Sequence, residues 1–339
     1  MIKWEMRKLL KNKSILISGI ILILLCVMMS FFKPSLETEN WYVDDKGNYI
    51  TDTREGSIIA NEKLKEKVSE LKMVEPRNEK SDVLTKKIGH MAQEKLKSDS
   101  GNKYKNISFY KVFNYRIGNA FAGFIILGII IYIFSNIYTD EKLSNVDSIV
   151  LSSKNKYKVL LSKLNLSIII PVLIYFIYIV VIGIITIIQY GSPVNGGLQA
   201  YRIIDVVTIL KSMNINLYIM INIFTMMTIF VSIGVFASFF SFITKNSVES
   251  IVGITVFLII GKLISLIRFL PTEFVSVIKY SNYIDILMNP QMVIGNYLGN
   301  VNIFGQSIDI ISLGYATLIA ILIFGIVLNI YIFRRILSK

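Results

Sequence analysis

The sequence is poor in the side chains on which most site chemistry depends. It holds one cysteine, Cys26, and one histidine, His90, so neither a disulfide nor a zinc site can be assembled within the chain. No GxxxxGK[ST] phosphate loop occurs, which removes nucleotide hydrolysis by that route, and no HExxH is present. His90 sits in a polar stretch, so Ser-His-Asp and zinc-protease arrangements inside an apolar region are excluded as well. Carboxylates are scarce where the chain is most apolar: Asp205 and Glu273 fall outside the long apolar runs, and no repeat with paired broken helices is evident. A proton- or sodium-coupled carrier would place an acid near the midplane of such a run. These absences argue against an enzyme and against a self-powered carrier. Basic residues are plentiful, 36 against 23 acidic for a net charge of +13. They lie beside apolar runs or in one mixed-charge block rather than in a nucleic-acid footprint, which argues against DNA or RNA as a partner.

What the chain does have is hydrocarbon. In 339 residues, 53% are hydrophobic and 12% aromatic, and the mean hydropathy of +0.59 is too high for a soluble domain of this size. Six runs are long enough to cross roughly 30 Å of bilayer as helices: residues 14–32, 117–138, 164–189, 217–243, 250–270 and 311–333. The predicted class is therefore an all-α, multi-pass membrane protein. Phe31-Phe32-Lys33-Pro34 after the first run is not a small-x-small cleavage site, so that run reads as an uncleaved helix. Lysine and arginine over the short flanks set the orientation. One side holds fourteen, including Lys3, Arg7, Lys8, Lys11, Lys13, the five lysines of residues 139–163, Lys245, Arg334, Arg335 and Lys339; the other holds Arg202, Lys211 and Lys279. Both termini are expected in the cytoplasm, in a cell membrane of bacterial plasma-membrane type.

In chain order, residues 1–13 form a short amphipathic helix expected to lie in the cytoplasmic interface, with Trp4 at headgroup level and Glu5, Arg7 and Lys8 among its polar positions. Residues 33–116 carry seventeen basic and fourteen acidic side chains and read as a water-exposed extracellular domain. Leu64, Val68 and Leu71, then Leu84, Ile88 and Met91, recur at helical spacing on either side of Glu75-Pro76-Arg77-Asn78, which predicts a helical hairpin. Trp41, Tyr42 and Tyr49 precede it in an irregular or β segment. The second span carries Gly118 and Ala122, a small-residue pair expected on one packing face, with a dimer seam as one place for it. In the cytoplasmic loop 139–163, Ser144-x-x-Asp147 ahead of Ile149-Val150-Leu151 is a capping-box pattern that opens a helix of about two turns. Pro171 enters the third span, and the outer loop 190–216 is amphipathic over 198–215. Asn246-x-x-Glu249 in the 244–249 turn caps the fifth span. In that span Lys262 is expected to snorkel outward together with Arg268, the two being candidates for a path or gate. Residues 271–310 read as interfacial or re-entrant segments, and 334–339 as a cytoplasmic tail.

This arrangement resembles the ABC-2 type permeases, also called type V ABC exporters. The resemblance covers most of the chain in topology and rests on two stretches. One is Glu5-Met6-Arg7-Lys8-Leu9-Leu10-Lys11-Asn12-Lys13, similar to the acidic-then-basic interfacial helix before that family's first span. The other is Glu141, then Leu151-Ser152-Ser153, then Lys154 to Lys158, and Lys163 entering the third span. What the resemblance implies is a half-transporter that pairs with a second permease subunit, identical or related, and binds a dimeric cytosolic ATPase. That ATPase would bind ATP and magnesium, with no cofactor in this chain. The coupling residues it implies are Glu141, Ser144, Asp147, Ser148, Ile149, Leu151, Ser152, Ser153, Lys154 and Lys158, with Lys245, Asn246 and Glu249 as a lesser contact. An amphipathic or antimicrobial peptide, or another small amphiphile, is the expected cargo. The other reading left open is a membrane-anchored sensor or immunity protein that binds a ligand through residues 33–116 without transport.

Overall fold

The computed structural model describes residues 1–73, 83–99, 103–204, 211–267, 271–303 and 306–337. Within these, six helices have the length and apolar character needed to cross a membrane. A short helix α1 (Ile2–Leu10) leads through Asn12, whose side chain accepts from the Ser14 amide at 3.2 Å, into the first span α2 (Lys13–Phe31). Nineteen residues at 1.5 Å per residue give about 28 Å, close to the thickness of a hydrocarbon core. Next come the antiparallel strands β1 (Trp41–Val43) and β2 (Tyr49–Thr51), then helices α3 (Gly56–Met73) and α4 (Val83–Ser98). The expected β segment around Trp41 and Tyr49 is thus present.

The second crossing differs from its expected form. Helix α5 (Ser108–Ile117) ends at Gly118, and Asn119 then caps α6 (Ala120–Ser135) by accepting from the Phe121 amide at 3.0 Å. The crossing is broken rather than continuous, so Gly118 and Ala122 belong to different helices and do not form one small-residue face. α5 is also not part of a water-exposed domain: Phe109, Phe113 and Ile117 are buried in the main core, and Val112 is buried as well. The charge that suggested solvent there, Arg116, is fully buried. Its guanidinium donates to the carbonyls of Ser30 (2.7 Å) and Phe32 (3.0 Å) at the end of α2, and to Thr186 Oγ1 (2.9 Å) and Gln189 Oε1 (2.6 Å). A cation set against the unsatisfied carbonyls of a helix C-terminus is a favourable placement.

Beyond α6 lie two short helices, α7 (Thr139–Leu143) and α8 (Asp147–Ser152), then α9 (Lys156–Tyr190). At 35 residues α9 runs about 52 Å, so it reaches well past any bilayer core. Helix α10 (Ile215–Ile243) is the most enclosed of the six spans, and it packs on α6, α9, α11 (Ser247–Ile264) and the last span, α14 (Ile310–Leu337). It approaches α9 tightly at Gly234, where an added Cβ would lie 2.5 Å from the Ser167 carbonyl and 2.8 Å from Pro171 Cγ. Pro171 lacks the amide that would bond the Ser167 carbonyl, and a glycine on the neighbouring helix fits the space beside it.

Between α11 and α14 come α12 (Thr272–Ser281), α13 (Tyr283–Met288), a 3-10 turn at Pro290–Met292 and the antiparallel pair β3 (Asn300–Ile303) and β4 (Gln306–Asp309). The fifth span therefore ends at Ile264, short of the expected 270.

Three segments distant in sequence form one polar cap at the end of the bundle away from α1. Leu64, Val68 and Leu71 of α3 share a small core with Ala92 and Leu96 of α4 and with Tyr201. The side chain of Leu84, the Glu75 to Asn78 interruption and Asp205 lie outside the described residues. Tyr201 and Arg202 both bond Asp99, and Lys67 reaches Glu37 at 3.0 Å and the Arg202 carbonyl at 3.3 Å. Lys211 bonds Asp309 at 2.7 Å. Tyr201, Arg202, Ile203 and Ile204 are accordingly buried beneath this cap, rather than lying in a membrane interface as the amphipathic pattern predicts.

Candidate functional site

At the α1 end of the bundle, four charged side chains from three elements converge below the surface. Lys163, seven residues into α9, is 1% exposed; Glu5 of α1 and Glu141 of α7 are each 2% exposed. Lys163 Nζ donates to Glu141 Oε1 at 2.8 Å, to Glu5 Oε2 at 3.1 Å and to the Ile137 carbonyl at 3.0 Å. Lys8, half exposed, pairs with Glu141 from the other side. Two carboxylates and two ammonium groups leave the cluster neutral, which is the condition under which charge is tolerated in an apolar setting. The amphipathic α1 thus turns Glu5 inward, while Trp4 and Arg7 stay exposed.

Helix α7, absent from the sequence-based expectation, ends in a Schellman motif. Asn145 adopts φ 55°, its amide bonds the Lys142 carbonyl at 3.1 Å, and the Val146 amide bonds the Glu141 carbonyl at 2.9 Å. This corrects the expected capping box. Ser144 does not cap α8: its hydroxyl donates back to the Asp140 carbonyl at 2.7 Å, and the α8 N-cap is Val146 with no side-chain bond. The preceding helix takes Ser144 for its own end, and the left-handed Asn145 places the chain outside the geometry a Ser144 cap requires.

Helix α8 forms where expected, with no buried residue among its six. Ile149 is 67% exposed; Ser148, Ser152, Lys154 and Lys158 are exposed, and Asp147, Leu151 and Ser153 are half buried. Lys142 joins this loop to the neighbouring turn, its ammonium donating to the carbonyls of Phe242 (2.7 Å) and Thr244 (2.6 Å) at the end of α10. From α10, Ser241 Oγ accepts from the amides of Tyr138 and Thr139 at 2.9 and 3.2 Å, where α7 begins. The 244–249 turn is capped as expected, with Asn246 Oδ1 accepting from the Glu249 amide at 2.9 Å and Glu249 Oε2 from the Lys245 amide at 3.1 Å. The two predicted contact stretches therefore meet on one face, and Lys142, Ser241 and Asn145 are the residues that the motif reading missed.

The opposite end holds a cavity of about 280 Å³ at the break between α5 and α6. Asn114, Asn119, Asn222, Asn289 and Gln291 line it, and no charged side chain does among the described residues. Asn222 is 1% exposed; its Nδ2 donates to Asn114 Oδ1 at 3.1 Å and its own Oδ1 has no partner among the described residues. Next to it is a second cavity of about 230 Å³, sharing Met288 and Asn289 and lined by Lys262 and Asp285. Lys262, whose side chain is 36% exposed, is paired with Asp285 of α13. Asn282 caps α13 by accepting from the Ile284 and Asp285 amides at 2.8 and 3.2 Å, which holds that carboxylate beside α11. Arg268 lies outside the described residues.

Compared with protein-family models, with curated proteins and with solved structures, the chain has no match.

Proposed function

We propose that the chain is the membrane-spanning permease subunit of an ATP-driven exporter, working with a cytosolic ATPase dimer and a second permease subunit. The observation that carries this reading is the Glu5–Lys163–Glu141 cluster. It links α7, next to the exposed α8, to α1 and to the longest span, so force applied to α8 has a short, polar and directional route into the bundle. An exposed two-turn helix with no core of its own is a natural docking element, and the lysine and arginine count supports a cytoplasmic setting for it. The paired cavities at the far end support a path for cargo. Their carboxamide lining, with the Lys262–Asp285 pair beside it, suits the amide groups of a peptide better than a bare ion or a hydrocarbon.

The direct test is purification from native membranes followed by assay of ATP hydrolysis. An ATPase that co-purifies, is stimulated by an amphipathic peptide and is lost when Lys154 and Lys158 are both changed to glutamate supports the reading. A chain that retains no ATPase subunit under conditions that preserve its native oligomer refutes it. The sensor or immunity reading draws on the β1–β2 hairpin, where Trp41 is 57% and Tyr49 80% exposed, a surface suited to a ligand. Replacing the exposed Trp41, Tyr42 and Tyr49 with serine separates the two. Complete loss of function supports a sensor, and a changed range of cargo supports transport.

A further inference from the structure

Beneath α1 lies an apolar groove of about 240 Å³, bounded by α1, α2, α6 and α9. Leu9 and Leu10 of α1 form its roof, and the walls run from Ile15 to Leu22 on α2 and from Ile170 to Ile177 on α9. Seven residues of helix on each wall give a length of about 10 Å, two thirds of one hydrocarbon leaflet.

Three features distinguish the groove from the rest of the lipid-facing surface. The first is charge: Lys3, Arg7, Lys11 and Lys13 are exposed around its α1 end, and none makes an ion pair among the described residues. The second is the Ser18 hydroxyl, which lines the groove, is 4% exposed and has no hydrogen-bond partner among the described residues, nor does that of Ser14 one turn earlier. A serine in a helix ordinarily satisfies itself on the carbonyl four residues back; these two do not. The third is vertical order. Along α2 the sequence of groups is ammonium (Lys13), hydroxyls (Ser14, Ser18) and hydrocarbon (Gly19, Leu22), which matches the phosphate, ester and acyl layers of a phospholipid.

We infer that this groove is a binding site for one anionic phospholipid, its acyl chain under α1, its ester oxygens at Ser18 and its phosphate against Lys11 and Lys13. The inference stands apart from the exporter reading, since it requires only that the spans sit in a bilayer. Basic residues next to a membrane attract anionic headgroups by about fivefold each, so two lysines give a preference for anionic over zwitterionic lipid of roughly twenty-five-fold. The lipid would act as a wedge that holds α1, and with it Glu5, against Lys163.

The test is native mass spectrometry of the detergent-purified full chain, titrated with an equimolar mixture of phosphatidylglycerol and phosphatidylcholine. The wild type is expected to retain one phosphatidylglycerol per chain with at least fivefold preference. A Cβ at Gly19 would meet nothing within 4 Å, so Gly19→Phe can add its ring to the groove without a clash at Cβ; it is expected to lose the bound lipid while melting as the wild type does. Lys11→Glu with Lys13→Glu is expected to keep a lipid and lose the preference. Retention of phosphatidylglycerol by Gly19→Phe, or equal binding of the two lipids by the wild type, overturns the assignment. A wild-type dimer that Gly19→Phe converts to a monomer also overturns it, because the occupant is then a second copy of the chain.

Discussion

Replacing Lys163 with methionine tests the buried cluster most sharply, because chain shape is nearly kept and one charge is lost. Lys8 still faces Glu141, but Glu5 loses the only cation bonded to it among the described residues. Removing one partner of a buried ion pair costs about 3–5 kcal/mol. The same figure follows from the proton: holding a glutamate protonated at pH 7, against an ordinary value of about 4.3, costs about 4 kcal/mol. At pH 5 that cost falls to about 1 kcal/mol, so the defect should be largely reversed by acid. The readout is α1 itself. In a Trp41→Phe background Trp4 is the sole tryptophan, and its emission reports whether α1 is docked. Amide exchange over Ile2–Leu10 gives the docking energy, with about 4 kcal/mol corresponding to roughly a thousandfold faster exchange. Adding Glu5→Gln should restore docking at pH 7. An unchanged Trp4 signal at pH 7, a defect equally large at pH 5, or strictly additive effects of the two substitutions would refute the argument.

Proline at Ile149, inside the exposed α8, should abolish stimulation of a bound ATPase and leave membrane insertion and melting unchanged. Normal export by this variant removes α8 from the coupling role. In the cap, Lys95 is 1% exposed, its ammonium has no hydrogen-bond partner among the described residues, and burial lowers its pKa to about 8. Because the unfolded value is higher, the unfolded state holds more protons between about pH 8 and 10.5, and stability should rise across that window. Lys95→Met should stabilise the cap by about 3 kcal/mol at pH 7 and flatten the rise, as read by thermal melting at pH 7 and 9.5; an identical slope in both proteins contradicts the burial of a charged Lys95. Asn145, at φ 55°, should accept glycine with little change, whereas valine should cost about 1–2 kcal/mol, measured as faster exchange of the α7 amides. Equal effects of the two would mean that the left-handed turn is not required.

The spans were legible because hydrocarbon over twenty residues leaves few alternatives. The cap on Asn246 and the existence of α8 were legible for a similar reason, since both depend on neighbours within four residues. What escaped was set by distant partners. Arg116 reads as a solvent charge until the carbonyl ends of α2 are placed against it, and Lys262 has no visible partner until Asn282 positions Asp285. The second span reads as continuous because Gly118 and Asn119 are only two residues in an apolar stretch. Ser144 shows the limit of a motif. Its spacing to Asp147 fits a capping box, yet the competing signal, Asn145 as a left-handed stop for the helix before it, won.

Lys163 shows why a buried charge at the edge of an apolar run calls for a functional explanation. A lysine kept only to orient the span would stay at the surface, whereas Lys163 is 1% exposed. It brings together Glu5, 158 residues before it on α1, and Glu141, 22 before it on α7, the helix that precedes the exposed α8 in the loop 139–163. Lys142 and Ser241 then fix the same loop to the end of α10. A loop kept only as a connection between two spans needs neither attachment. Bound rigidly to α1, α9 and α10 while α8 is left uncovered, it has the form of a lever whose free end awaits a partner, and the exporter proposal follows from that asymmetry between anchored base and open tip.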